Sequence, residues 1–103
     1  MAPDRYDGSP SGEQSSGTTS VNLQLNTEND ATCGYATAVD TPHASMTTMA
    51  TTGTDVHMQN ITGLTDGNAY TYYVRCTNGN VNINDFIISF NIASSEDIRA
   101  DVD

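Results

Sequence analysis

The stretch Leu64–Cys76, LTDGNAYTYYVRC, sets a leucine before a polar turn with glycine, then a tyrosine, then an alternating run that ends in a cysteine. Successive side chains of a β-strand point to opposite faces. Tyr70, Tyr72, Val74 and Cys76 therefore share one face, and Thr71, Tyr73 and Arg75 share the other. The first set is apolar and the second largely polar, which is the pattern of a half-buried strand. Asp66-Gly67 supplies turn chemistry ahead of it.

The same period recurs on both sides. In VNLQLN, Val21, Leu23 and Leu25 alternate with Asn22, Gln24 and Asn26. Cys33 and Tyr35 share a face in ATCGYATA. In FIISFNI the spacing predicts Phe86, Ile88, Phe90 and Ile92 inward, with Ile87, Ser89 and Asn91 outward. No segment carries a helical period. Short strands separated by Gly and Asn turns predict an all-β fold, a two-sheet sandwich of about seven strands.

Two places break the alternation. In VHMQNITGL a core-facing Ile61 brings His57 and Gln59 to its side and turns Val56 and Met58 outward. A bulge or a shifted strand start is the expected remedy. Between Ile83 and Phe86 the inward phase flips, so residues 77–85 are expected to form a loop or bulged tip. A continuous strand there would turn Asn78, Asn80, Asn82 and Asn84 into the core, and desolvating four amides is costly.

The chain has 103 residues, the length of one domain, and 36% are hydrophobic, so the core must be lean. A small domain with a lean core gains from a covalent staple. The net charge is −10, with half of it in the two ends. Such acidity speaks against nucleic acid and against a polybasic membrane contact, and it reads as a solvating surface. No apolar run is long enough to insert into a membrane as a helix. Residues 1–19, rich in Pro, Gly and Ser, read as a linker or a ragged first strand; 20–93 as the sandwich; and 94–103 as an acidic linker or tail. Met1-Ala2 leads straight into polar sequence, so the expectation is a leader already removed or one module of a longer chain.

The spacing of Leu64, Gly67, Tyr70, Tyr72, Val74, Arg75 and Cys76, with Asn78-Gly79-Asn80 after it, resembles the fibronectin type III-like modules of secreted bacterial and archaeal surface proteins. SPSG, GTTSVNLQLNTENDATCGY and GTDVH are similar to the cysteine-bearing subset of those modules. The resemblance covers roughly residues 8–93. It implies an immunoglobulin-like sandwich in which Leu64 plugs one end of the core and Tyr70 is a corner tyrosine bonding upstream backbone. It makes the strands of Cys33 and Cys76 neighbours, and the two cysteines are then expected to form a disulfide in an oxidising compartment. The chain differs from that subset at Gly34, where a basic residue is usual, and at Thr77, where an acidic one is.

No catalytic constellation stands out, and the chain is read as a non-enzyme. His43 and His57 read as structural histidines. Serines fall in turns without a nucleophile elbow. Glu28 and Asp30 read as turn residues. Tyr73 and Arg75, with Tyr6 or Tyr35 nearby, are candidates for a sugar-stacking platform, joined by Asn78 and Asn80. Asp30, Asn82, Asn84 and Asp85 are weak candidates for Ca²⁺, because affinity follows carboxylate count. No other cofactor is expected. The Asn60-Ile61-Thr62 sequon lies in a strand and reads as chance. The leading expectation is a non-catalytic extracellular or cell-surface module, a spacer, surface-protein repeat or assembly unit. Its partners would be neighbouring domains of a larger secreted protein or like subunits. The alternative is a carbohydrate-binding accessory domain of a polysaccharide-degrading enzyme, with a glycan as partner.

Overall fold

The structure, a computed structural model, describes residues 1–94. Eight strands are found among them: β1 (Arg5–Ser9), β2 (Gly12–Gln14), β3 (Val21–Thr27), β4 (Thr32–Ala36), β5 (Thr47–Thr48), β6 (Val56–Ile61), β7 (Ala69–Thr77) and β8 (Phe86–Ile92). A short 3-10 turn, His43–Ser45, precedes β5, and no α-helix occurs among the described residues. The strands make two sheets, β1-β3-β6 and β2-β8-β7-β4-β5. Pairing is antiparallel except for β2, which runs parallel to β8. The architecture is all-β, two sheets packed face to face. The leading residues 1–19 carry β1 and β2, one strand in each sheet. Most of the acidic tail read at 94–103 lies outside the described residues.

The core sits between the sheets, where the alternation put it. Leu23 and Leu25 of β3 face Val74 and Cys76 of β7 and Ile88, Phe90 and Ile92 of β8 in one buried cluster. Full burial of each such aliphatic or aromatic side chain stabilises by about 1.5–3 kcal/mol. Phe90 joins the sequence to a ring stack, with Tyr70 at 5.6 Å and Tyr72 at 6.2 Å between centroids. Tyr35 packs edge-on against Tyr72 at 6.2 Å.

The LTDGNAY stretch closes one end of this core. Leu64 is buried, and its amide donates to the Thr19 carbonyl. Gly67 takes φ of 82°, the left-handed region an Asp-Gly turn uses. The Tyr70 hydroxyl accepts the Thr65 amide at 3.0 Å, reaching back over the connection to upstream backbone.

Cys33 and Cys76 stand directly opposite each other in the β4–β7 ladder and are bonded. The crosslink therefore lies within the five-stranded sheet and fixes the β4–β7 register covalently. Closing a loop across 43 positions removes unfolded-state freedom equivalent to about 4 kcal/mol in the chain-entropy account.

Strand β6 corrects the expected bulge. It pairs with β3 in unbroken register, from Val21 opposite Ile61 to Asn26 opposite Val56. His57 therefore does point inward and is fully buried, while Val56 is 40% exposed. Polar partners make this tolerable. The Thr27 hydroxyl donates to the Asn29 carbonyl at 2.6 Å, so toward His57 Nε2, at 2.9 Å, it can only accept. Nε2 thus carries the proton. Nδ1 then accepts from the Thr52 hydroxyl at 2.7 Å, nearer than the Ala31 carbonyl that competes for the same proton at 3.3 Å, and the Thr52 oxygen itself accepts the Cys33 amide at 2.8 Å. A neutral imidazole completes the chain of donors and acceptors, where a bulge would have broken the ladder.

Two expectations follow. Cys33→Ser should lower stability by about 2–5 kcal/mol, read as a lower urea midpoint that reductant no longer shifts. The second concerns His57, whose pKa is held below its usual 6.5 by burial, with Asp55 pulling weakly the other way. Below that value the unfolded chain takes up a proton that the folded one resists. Stability is therefore full above the usual value and falls as pH drops through it, at up to about 1.4 kcal/mol per pH unit. Urea midpoints between neutral and mildly acidic pH should show this slope, and His57→Gln should flatten it.

Candidate functional site

The candidate residues gather at one pole of the sandwich. There β7 ends at Thr77, the Asn-rich segment crosses to β8, and residues 1–5 run alongside. β8 begins opposite Val74, so the last residues of β7 have lost their strand neighbour. Asn82 takes that place. Its backbone amide donates to the Cys76 carbonyl at 2.9 Å, and its side-chain oxygen accepts the Cys76 amide at 2.8 Å. A single residue, through one backbone and one side-chain group, thus imitates a strand, which explains how an asparagine comes to be buried beside a disulfide.

The other asparagines hold the N-terminal segment. Asn82 Nδ2 donates to the carbonyl of the buried Pro3 at 3.1 Å, and Asn78 Nδ2 donates to the Met1 carbonyl at 3.0 Å. Arg5 donates to the Asn84 side chain at 2.7 Å and to the carbonyls of Asn84 and Val74, both at 2.8 Å. Its guanidinium lies over the Phe86 ring. A shallow cleft of about 430 Å³ opens between this segment and Asn82, Asn84 and Phe86. The polar atoms at its wall are engaged with one another, and every buried side-chain nitrogen and oxygen among the described residues has a partner.

Arg75 corrects the expected platform. It has the outward parity assigned to it, yet it is only 8% exposed. Its guanidinium bonds Asp85 at 2.8 Å and reaches Asp40 at 3.3 Å. Asp40 sits in the left-handed region at φ of 61°, which turns its own amide onto the second Asp85 oxygen at 2.8 Å. Two turns thus fold over the sheet face and draw the arginine down. Burial works to raise the Asp85 pKa, but the Asp40 amide, the Arg75 hydrogen bond and the charges of Arg75 and Arg5 outweigh it. The net shift is downward. Beside Arg75, Gly34 makes room for β5: a Cβ there would lie 2.9 Å from Met46 Cβ. That close approach explains why the position carries glycine.

The remaining platform residues are dispersed. Tyr35 is turned into the core and Tyr6 lies on β1, in the other sheet. The ring contacts found among the described residues do not include Tyr73, whose cross-strand neighbours are Ile87 and Ala36. Asn80 is exposed in the turn.

The calcium candidates are likewise committed elsewhere. Asn82 and Asn84 face Cys76 and Arg5, and Asp85 faces Arg75 with Arg5 nearby. The acid brought to Asp85 is Asp40, through Arg75, rather than Asp30. A divalent cation at Asp85 would have to displace an arginine against the field of a second. Among the described residues no three His, Cys, Asp or Glu side chains converge on a common point. The His43 ring meets the Thr32 carbonyl at 3.2 Å.

No protein-family model matches the chain, and no curated protein matches it.

The sequence pattern marked this pole as polar but missed Arg5 and Pro3. The available signal was scarcity: three arginines in the whole chain, one in the supposed linker. Asn82→Ala should strand the Cys76 amide and cost about 1–3 kcal/mol, whereas Asn80→Ala should be silent. Denaturant melts of the two variants check this, and the same melts with calcium against chelator should coincide.

Proposed function

We propose that the chain is a non-catalytic, extracellular spacer module of the fibronectin type III-like kind, arranged in series with neighbouring domains. The observation that carries this is the path of the chain. Met1 is tied to the turn after β7, while Ile92 is tied to Asn68 and Gly67 ahead of β7, and Ala93 to Gln14. The described chain thus enters at one pole and leaves at the other. The nine residues of β7 between them span about 26 Å. Such a path suits a string of modules.

Other features support the same reading. The strand order, with a first strand divided between the sheets, and the Tyr70 corner are those of immunoglobulin-like sandwiches. An intramolecular disulfide fits an oxidising environment. No helix among the described residues is long and apolar enough to cross a membrane. Assembly through strand edges is less well served. β2 has three residues and β5 two, and the outer edge of β6 is bridged by Thr51 at Met58. The sugar-binding alternative loses its stacking row, since Tyr73 stands without the other tyrosines.

The test is mechanical. In a tandem array pulled from its ends, each module should unfold as a unit. With the bridge intact, the residues across its 43-position span should stay hidden, shortening each extension step by about 150 Å relative to the reduced array. An array that collapses into a side-by-side aggregate would count against a serial spacer. So would a glycan array bound strongly and lost on Tyr73→Ala.

A further inference from the structure

We propose that Asn78 is a site of spontaneous deamidation, and that its conversion releases residues 1–2 from the turn after β7. The chemistry needs a backbone amide free to attack the preceding side chain. The Gly79 nitrogen adds to Asn78 Cγ, the Cγ–Nδ2 bond breaks, and ammonia leaves, closing a succinimide. Water then opens the ring at either carbonyl, giving aspartate or isoaspartate. No oxidant or cofactor is involved.

The structure separates this position from its rivals. Asn78 and Gly79 are exposed, and Gly79 has φ of 105° with open space where a Cβ would project. Among the described residues the Gly79 amide is held only by the Thr77 hydroxyl at 3.1 Å, a contact that water can replace. Asp66-Gly67 carries the same kind of dipeptide, but its Gly67 amide is fixed to the Ile92 carbonyl at 2.9 Å and Asp66 is engaged by the Gly17 amide at 2.7 Å. Asp7-Gly8 lies within β1, where a Gly8 Cβ would come 2.7 Å from the Phe86 ring. Asn80 and Asn82 precede Val81 and Ile83, whose branched side chains shield the attacking amide.

The consequence follows from what the leaving nitrogen does. Asn78 Nδ2 is the donor to the Met1 carbonyl. A carboxylate in its place has no proton to give and repels that oxygen. Isoaspartate also lengthens the backbone by one carbon and displaces the Asn80 amide, which now bonds Asn78 Oδ1 at 3.1 Å. The deeper ties at Pro3 and Arg5 remain, so the release is confined to the first residues. Age alone would then loosen the entry pole.

The test uses the full chain with Met1 retained, checked by mass, and incubated at mildly alkaline pH and body temperature. An acidic species should appear, and peptide mapping should place it at Asn78. Asn78→Gln should not form it on the same timescale, since its longer side chain must freeze one more rotatable bond to close a six-membered ring. In the aged protein and in fresh Asn78→Asp, the Ala2 amide should gain the sharp NMR line of a mobile residue while the Arg5 amide stays broad and dispersed. An acidic species that forms equally in Asn78→Gln, or maps to another asparagine, would overturn the site. An unchanged Ala2 in Asn78→Asp would overturn the release.

Discussion

The Cys33–Cys76 rung is the constraint on which the rest of the structure depends. It sits where two antiparallel strands of the larger sheet face each other, so it sets their register by covalent bond. Around it three further pieces are placed. The Cys33 amide is taken by Thr52, which positions His57, and the Cys33 carbonyl accepts the Met49 amide, which brings the connection before β6 against the core. On the other side Cys76 receives Asn82 on both its backbone groups. A lean core thus has one fixed point from which polar and apolar contacts radiate.

Two of the buried polar side chains, His57 and Asn82, are tolerated for the same reason. Each replaces hydrogen bonds that backbone or water would otherwise supply, and each is fully partnered. Low dielectric strengthens satisfied networks and penalises incomplete ones. The arrangement therefore specifies one strand register more sharply than an all-apolar core would. Arg75 obeys the same logic at the rim, where Asp85 and Asp40 meet it as the turns fold over.

The pole that carries the asparagines is occupied by the protein itself. Residues 1–5 run along this pole, held by Asn78, Asn82 and Asn84. That turns a set of candidate ligands into a clasp on the chain's own entry segment. It is also why a spacer reading fits better than a recognition reading: the polar chemistry is directed at holding the path of the chain from pole to pole.

The sequence alone determined the sheet content, the inward faces of β3, β7 and β8, and the turn and tyrosine ahead of β7. These depend on period two and on turn chemistry, which are local. It also marked residues 77–85 as unable to continue a strand, because amides cannot line an apolar core unpaired, although β7 in fact runs through Thr77. Only the tertiary structure decided whether each polar residue had a partner. His57 goes inward because Thr27 and Thr52 arrive from other segments. Arg75 is covered because Asp40 and Asp85 come together over it. Asn82 is buried because β8 starts too late to pair with Cys76 on that side of β7. Residues 1–5 belong to the fold because that same pole holds them. Alternation sets which way a side chain points; what it meets there depends on contacts between distant segments, and no local pattern encodes them.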